Sequence, residues 1–242
     1  MSIRCEVSGD TTALTATVSG RLRLSDTALL LDQLLKCLAE QPDALLLDLS
    51  GLHLNQPLAL AVLTVVHRQA ACWPGVPVLL CAPPPETRRH LTGSHQRLPL
   101  FDSRVAAMAH LHDNRKVIPT LREEMLPVTG SVRHARDVAT DACLRWELPD
   151  LVAPASLIAN ELVANVIDHA HTMMTLRMSV RQRYLGIAVQ DGSAEPPVAV
   201  ATSGPGEPRG RGLLMVGELA HAWGHLPSNG GKVVWATLGL PS

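Results

Sequence analysis

The chain has 242 residues, of which 46% are hydrophobic, and a formal net charge of −1. That length suits one large domain or two small ones, and that composition excludes the disordered and fibrous classes. Near-neutral charge and an aromatic content of 2% also argue against an electrostatic grip on nucleic acid and against base-stacking platforms.

The first half alternates strand-like and helix-like segments. ALTATVSGRL (13–22) has the alternation of a half-buried strand. Asp26 or Ser25 is placed to cap a helix through LLLDQLLKCL. ALLLDLSG (44–51) is a short apolar strand that Ser-Gly should end, and LALAVLTVVHRQA (58–70) has helical length with an apolar face. VPVLLCA (76–82) is a further buried strand, PPPE (83–86) leads into a helix, and FDSRVAAMAHLH (101–112) contains a capped helix. This alternation predicts a mixed sheet covered by helices.

Residues 113–120, DNRKVIPT, are polar and contain a proline, so they read as a linker. The second half follows another plan. A strand near LREEMLPV (121–128) precedes helices over Ser131–Trp146 and from about Pro154 to Ala170. TLRMSVRQR (175–183) and YLGIAVQDG (184–192) read as strands, and residues 194–209 as a loop rich in proline and glycine. GRGLLMVGELAHAWG (210–224) becomes a helix after its glycines, and GGKVVWATLGL (230–240) is a final strand. Two helices beside an antiparallel sheet make an α+β sandwich.

Five scattered cysteines form no C-x-x-C pair. Neither a zinc site nor a disulfide framework is expected, and the cytoplasm is the expected location. The apolar run Leu58–Val66 is about half a membrane span, and the N-terminal residues lack the apolar core of a signal peptide. No membrane partner is expected.

Within ELVANVIDHA (161–170), Glu161 and Asn165 lie one helical turn apart, so they share a face. A solvated face of an amphipathic helix would explain the pair. Chemistry would explain it too: the Asn carbonyl is a hard oxygen suited to Mg²⁺, and a Glu one turn away can orient or deprotonate a nucleophile. Asp191-Gly192 follows an apolar strand, which fits either an ordinary turn or an acceptor beside a glycine that lets a flat ligand approach. Gly210-Arg211-Gly212 opens a helix, which fits either a flexible hinge or an anion site made of free backbone N–H groups and the helix dipole. Arg209 precedes it and is either a phosphate contact or merely solvated.

Taken in order, E-L-V-x-N on a helix, D-G-S after a strand, a Pro/Gly loop, G-R-G-L-L-x-V and G-G-K-x-V-W-A resemble the GHKL ATPase superfamily, above all the bacterial anti-sigma-factor serine kinases. The resemblance covers about residues 120–242. It implies a Bergerat-type α/β sandwich over residues 121–242 that binds ATP and Mg²⁺. It implies that Glu161 is the catalytic base and Asn165 the Mg²⁺ ligand. Asp191, with Gly192 beside it, would read adenine. Gly210 and Gly212 would contact phosphates, with Arg211 and Leu213 in the same segment, and Arg209 or Arg211 would offset developing charge. Residues 194–209 would be the ATP lid. Two departures stand out: DGSAE lacks the longer D-x-G-x-G form, and Val233 stands where many relatives have threonine.

LLLDLSGLHLNQPLALAVL (45–63) and the segment 76–103 resemble the STAS domain of anti-sigma-factor antagonists, over residues 1–112. In that family a hydroxyl residue in a D-S-S/T-G motif after the LDLSG strand is phosphorylated. Here Gln56-Pro57-Leu58-Ala59 carries no hydroxyl, so the phosphoacceptor site is degenerate. Together the two resemblances imply a cytoplasmic partner-switching regulator. Its activity would be that of a serine/threonine protein kinase acting on a separate STAS antagonist and controlling a sigma factor. The alternative is a catalytically weak module that sequesters such a partner. A homodimer is implied by the same family, and direct nucleic-acid binding is not expected.

Overall fold

The computed structural model describes residues 3–9, 12–94, 98–114, 117–197 and 212–241. The chain divides into two compact units, Met1–Lys116 and Val117–Ser242. Asp113 closes a helix of the first and Thr120 opens a strand of the second.

The first unit is the expected mixed sheet with helices. Its strands are β1 (Arg4–Gly9), β2 (Leu14–Leu22), β3 (Leu45–Leu54), β4 (Val78–Cys81) and β5 (Leu100–Phe101), in that spatial order. The β1–β2 pair is antiparallel and the other pairs are parallel. The helices are α1 (Thr27–Ala39), α2 (Ala61–Cys72), α3 (Pro85–Ser94) and α4 (Arg104–Asp113). Leu45, Leu46, Leu47 and Leu49 of β3 are all fully buried, as a central parallel strand with apolar cover requires. Ser103 caps α4 by accepting a hydrogen bond from the Ala106 N–H at 3.1 Å.

Three local expectations change. β3 does not stop at Ser50-Gly51 but runs on to Leu54, still paired with β2 beyond a register shift between Thr17 and Ser19. Gly51 is a close approach, not a stop: a Cβ there would lie 2.8 Å from that of Ser19. Asp26 precedes α1 but does not cap it; its carboxylate accepts from the Arg23 N–H at 3.1 Å. The exposed edge strand β1 was not expected, because its residues lack a clear apolar face.

The second unit is an antiparallel sheet with helices. Its strands are β6 (Thr120–Met125), β7 (Met174–Val180), β8 (Tyr184–Asp191), β9 (Ala222–Ser228) and β10 (Gly231–Gly239), in the spatial order β6-β7-β8-β10-β9. The described helices are α5 (Gly130–Arg145), α6 (Val152–Asn165) and α7 (Gly212–Leu219). Ala135, Ala139 and Ala142 of α5 share one buried cluster with Ala155, Ile158, Ala159 and Leu162 of α6. Small side chains let the two helix axes come close, and ridges and grooves then interlock. Leu185, Ile187 and Val189 from β8 and Val234, Ala236 and Leu238 from β10 complete this core. Their period of two puts them on one sheet face.

The helix expected over 210–224 ends at Leu219, and residues Ala222–Ser228 form β9 against β10. The His221 N–H donates to the Thr237 carbonyl at 2.8 Å, so β10 captures this segment. Gly217 leaves room for the Trp223 ring, whose Nε1 would lie 3.1 Å from a Cβ placed there. Among the described residues, Pro149–Ala170 is the helical stretch with the length and hydropathy of a membrane span, not Leu58–Val66. Its Ile158, Leu162 and Val163 belong to the domain core, which accounts for that composition.

Candidate functional site

Two small constellations sit at the ends of elements in the second unit. The first is on α6. Glu161 is half-buried one residue before the fully buried Leu162. The Asn160 side-chain amide donates to Glu161 Oε1 at 2.9 Å, holding the carboxylate in one orientation. Gly212, the first residue of α7, packs directly on it: a Cβ there would collide with Glu161 Oε2. The glycine is therefore required for close approach and not only for a hinge. Asn165 ends the α-helical part of α6, and Val166–Ala170 continues as a π-helical turn that closes at His171, φ 54°. Such turns re-aim the side chains beside them and recur at functional sites.

The second constellation is at the end of β8. Asp191 is 3% exposed. Its Oδ1 accepts from the Ser193 N–H at 2.8 Å, an Asx turn, and from Lys232 Nζ at 3.0 Å. Its Oδ2 is buried with no hydrogen-bond partner among the described residues. A buried acceptor left unmade costs about 1–3 kcal/mol, and more when it is charged, so this oxygen is open to a donor that the described residues do not supply. The Gly192 N–H donates to Thr172 Oγ1 at 2.9 Å, tying the strand end to the segment that follows the π turn.

Leu213 packs in the core at 4% exposure, so only its backbone is available to a ligand. Arg209, Gly210, Arg211 and the lid from residue 198 onward lie outside the described residues. A cavity of about 340 Å³ is bounded by Asp191, Gly192, Gln190 and Thr175, but by neither Glu161 nor Asn165. Gln190 and Thr175 are register partners that alternate with the core residues, so that cavity opens on the other sheet face. Burial pushes the Cys143 thiol up to about 11, which keeps it protonated and rules it out as a nucleophile at neutral pH.

A family model described as "Histidine kinase-like ATPase domain" matches residues 127–238. The second unit carries a histidine kinase-like ATPase domain. Two solved structures are similar to the N-terminal half. One is an anti-sigma factor antagonist from Mycobacterium paratuberculosis, 25% identical, covering 46% of this chain and 96% of that one at a TM-score of 0.39. The other is the anti-sigma factor antagonist SpoIIAA in its unphosphorylated form, 10% identical, covering 48% and 100% at a TM-score of 0.40. No curated protein matches the chain.

The residues present in the ATPase domain fit a nucleotide. The buried carboxylate oxygen of Asp191 that has no partner among the described residues would suit the exocyclic amine of adenine, and the Asn165 side chain is of a type that could give Mg²⁺ one hard oxygen. Mg²⁺ commonly takes few protein ligands and completes its shell with phosphates and water. Sequence reasoning missed Asn160, Thr172, Ser193 and Lys232. Asn160 lay next to Glu161 unremarked. Ser193 meets Asp191 through an Asx turn, a local contact that Asp-Gly-Ser spacing allows, whereas Thr172 and Lys232 reach Gly192 and Asp191 from 20 and 41 residues away, which spacing along the chain does not encode.

Proposed function

We propose that the protein is an ATP-binding regulator of a bacterial partner-switching pathway. Its ATPase domain acts as a serine/threonine kinase on a separate STAS-type antagonist and thereby controls a sigma factor. The observation that carries this reading is Asp191: a buried carboxylate with one free oxygen, at a strand end, inside a histidine kinase-like ATPase domain.

In phosphoryl transfer, positioning and charge neutralisation do most of the work. Bound Mg-ATP supplies the phosphoryl group and much of the counter-charge. Asp191 accepts the purine amine, and Gly192 keeps the neighbouring backbone free of a side chain. Asn165 offers its side-chain carbonyl to Mg²⁺. Glu161, oriented by Asn160, accepts the proton of the incoming serine or threonine hydroxyl. Gly212 lets the α7 backbone reach this carboxylate, and its N–H and that of Leu213 face the phosphates, a contact to which Gly210 is assigned on sequence resemblance alone. Arg209 and Arg211 are assigned to charge neutralisation on sequence resemblance alone. The cytoplasm is part of this reading, since five free thiols suit a reducing compartment, and so is a homodimer, by family resemblance.

Calorimetry of the purified chain with ATP and Mg²⁺ tests the reading at its base: saturable binding is expected, and none would sink it. Transfer of radiolabelled phosphate to candidate STAS proteins then tests the kinase step. One observation favours a second reading, in which the chain binds partners with little turnover. Leu58 is 71% exposed where a STAS phosphoacceptor would stand, and its side chain is unable to take phosphate. ATP binding without transfer to any STAS protein would select this second reading.

A further inference from the structure

Lys232 has no part in the mechanism above, yet it is among the most buried charges in the second unit. Its side chain is 6% exposed and that of Asp191 0%. Nζ lies 3.0 Å from Asp191 Oδ1 and 3.4 Å from the Ser193 carbonyl oxygen. The register pairs Lys232 directly with Asp191 across β10 and β8. Gly231 permits the close approach at that register, since a Cβ on it would collide with the Asp191 carbonyl oxygen.

Stability is a poor reason for such a pair. Desolvating two charges cancels most of their attraction, and an apolar pair of similar size is often as stable or more so. What the pair does achieve is asymmetry. Oδ1 receives two donors, Lys232 Nζ and the Ser193 N–H, while Oδ2 receives none. The aspartate cannot rotate to offer both oxygens to a ligand without breaking a buried ion pair and an Asx turn.

We propose that Lys232 is a positioning residue that sets base specificity. By holding Oδ1 it leaves Oδ2 as a single fixed acceptor, matched to a 6-amino purine nucleotide and mismatched to a 6-oxo purine. This rests on the nucleotide reading of the site and adds to it a residue and a direction of selectivity. With Oδ2 held opposite the C6 substituent, a 6-oxo group would set acceptor against acceptor, and the N1–H that a 6-oxo purine gains could reach that oxygen only if the base or the carboxylate shifted.

The test compares ATP with ITP, which exchanges the 6-amino group for a 6-oxo group. Dissociation constants are measured by calorimetry with Mg²⁺ on the full chain. The wild type is expected to bind ATP at least about 10-fold more tightly, the share of one hydrogen bond to a charged group. Lys232→Met should bring the ratio close to one, with ATP losing more than ITP. Lys232→Arg, which keeps a cationic donor, should retain most of the preference; a merely structural lysine would not tie the base ratio to that donor. Lys232→Met leaves a buried carboxylate unpaired, so its fold is checked by circular dichroism. If it is unfolded, Lys232→Gln is read in the same way, because its neutral amide is shorter and cannot balance the charge. A preference unchanged in a folded Met or Gln variant overturns the proposal and leaves the nucleotide reading standing. A wild-type preference for ITP overturns it as well, since the remaining Lys232 N–H would then be the group that reads the base. Wild-type protein that binds neither nucleotide overturns both.

Discussion

Among the described residues both units are five-stranded sheets backed by helices, yet they end their central strands in opposite ways. In the first unit β3 leads to Gln56 and Pro57, where Gln56 Oε1 accepts from the Leu24 N–H at 2.8 Å and Pro57 opens a helical turn. A proline there costs nothing, because the first helical N–H has no partner to lose. The residue then presented to solvent is Leu58, 71% exposed. In the second unit β8 leads to Asp191, 3% exposed, with a buried lysine beside it. Desolvating a charge costs several kcal/mol, whereas a single exposed leucine is ordinary on a protein surface. The same architectural position is therefore a plain surface in one unit and a costly polar site in the other. Chemistry is to be sought where that cost is borne.

The sharpest way to break this contrast is at Glu161. Glu161→Ala should lower phosphoryl transfer to a STAS substrate by about 10²–10⁴-fold, the usual share of a general base, with little change in ATP affinity. Equal radiolabel transfer by the variant and the wild type would remove Glu161 from that role. Next in size are the cores. Leu162 and Leu47 are both fully buried, and truncating either to alanine should cost about 2–5 kcal/mol in denaturant unfolding. Only Leu162→Ala should also weaken ATP binding, since Leu162 packs α6, the helix that carries Asn165, into the core of the second unit; equal weakening by Leu47→Ala would contradict the division of labour. Leu58→Ser restores a hydroxyl at an exposed position and should change stability by less than about 0.5 kcal/mol. A larger loss in the same unfolding measurement would mean that Leu58 is not a plain surface residue.

The smallest expected effect is on pH. Burial holds the His67 imidazole below its ordinary value of 6.5, so the unfolded chain takes up its proton first. Stability linked to His67 is complete above pH 6.5 and declines as the pH falls from there toward the depressed folded value. Unfolding midpoints between pH 7.5 and pH 5.5, as rough limits around that value, compared between wild type and His67→Gln, isolate the contribution. A steeper acid loss in the variant would reverse the sign.

Much of the architecture was legible because hydrophobic period is a local property. The leucines of β3 and the alternation in β8 and β10 announced strands, and the small apolar faces of α5 and α6 announced packed helices. The misreadings share one cause. Ser50-Gly51 looked like a stop because glycine usually ends strands; β2 continues to pair past it, and the glycine serves a close approach instead. AHAWG looked like the end of a helix because its residues suit one, but β10 offers it a ladder of hydrogen bonds. Tertiary pairing overrode local propensity in both places.

The sequence by itself determined which residue types were available: a Glu and an Asn one helical turn apart, an Asp-Gly after a strand, glycines ahead of a helix, and no hydroxyl at Pro57-Leu58. Spacing along a helix or a strand is a rigid geometric rule, so those groupings were readable without coordinates. Only the tertiary structure decided how each group is held. It set Gly212 against Glu161, turned one oxygen of Asp191 toward Lys232 and Ser193, and left the other without a partner. The Ser193 contact is a local turn, but those of Gly212 with Glu161 and of Lys232 with Asp191 join segments up to 51 residues apart in number, and they follow from register and packing, which no local pattern encodes.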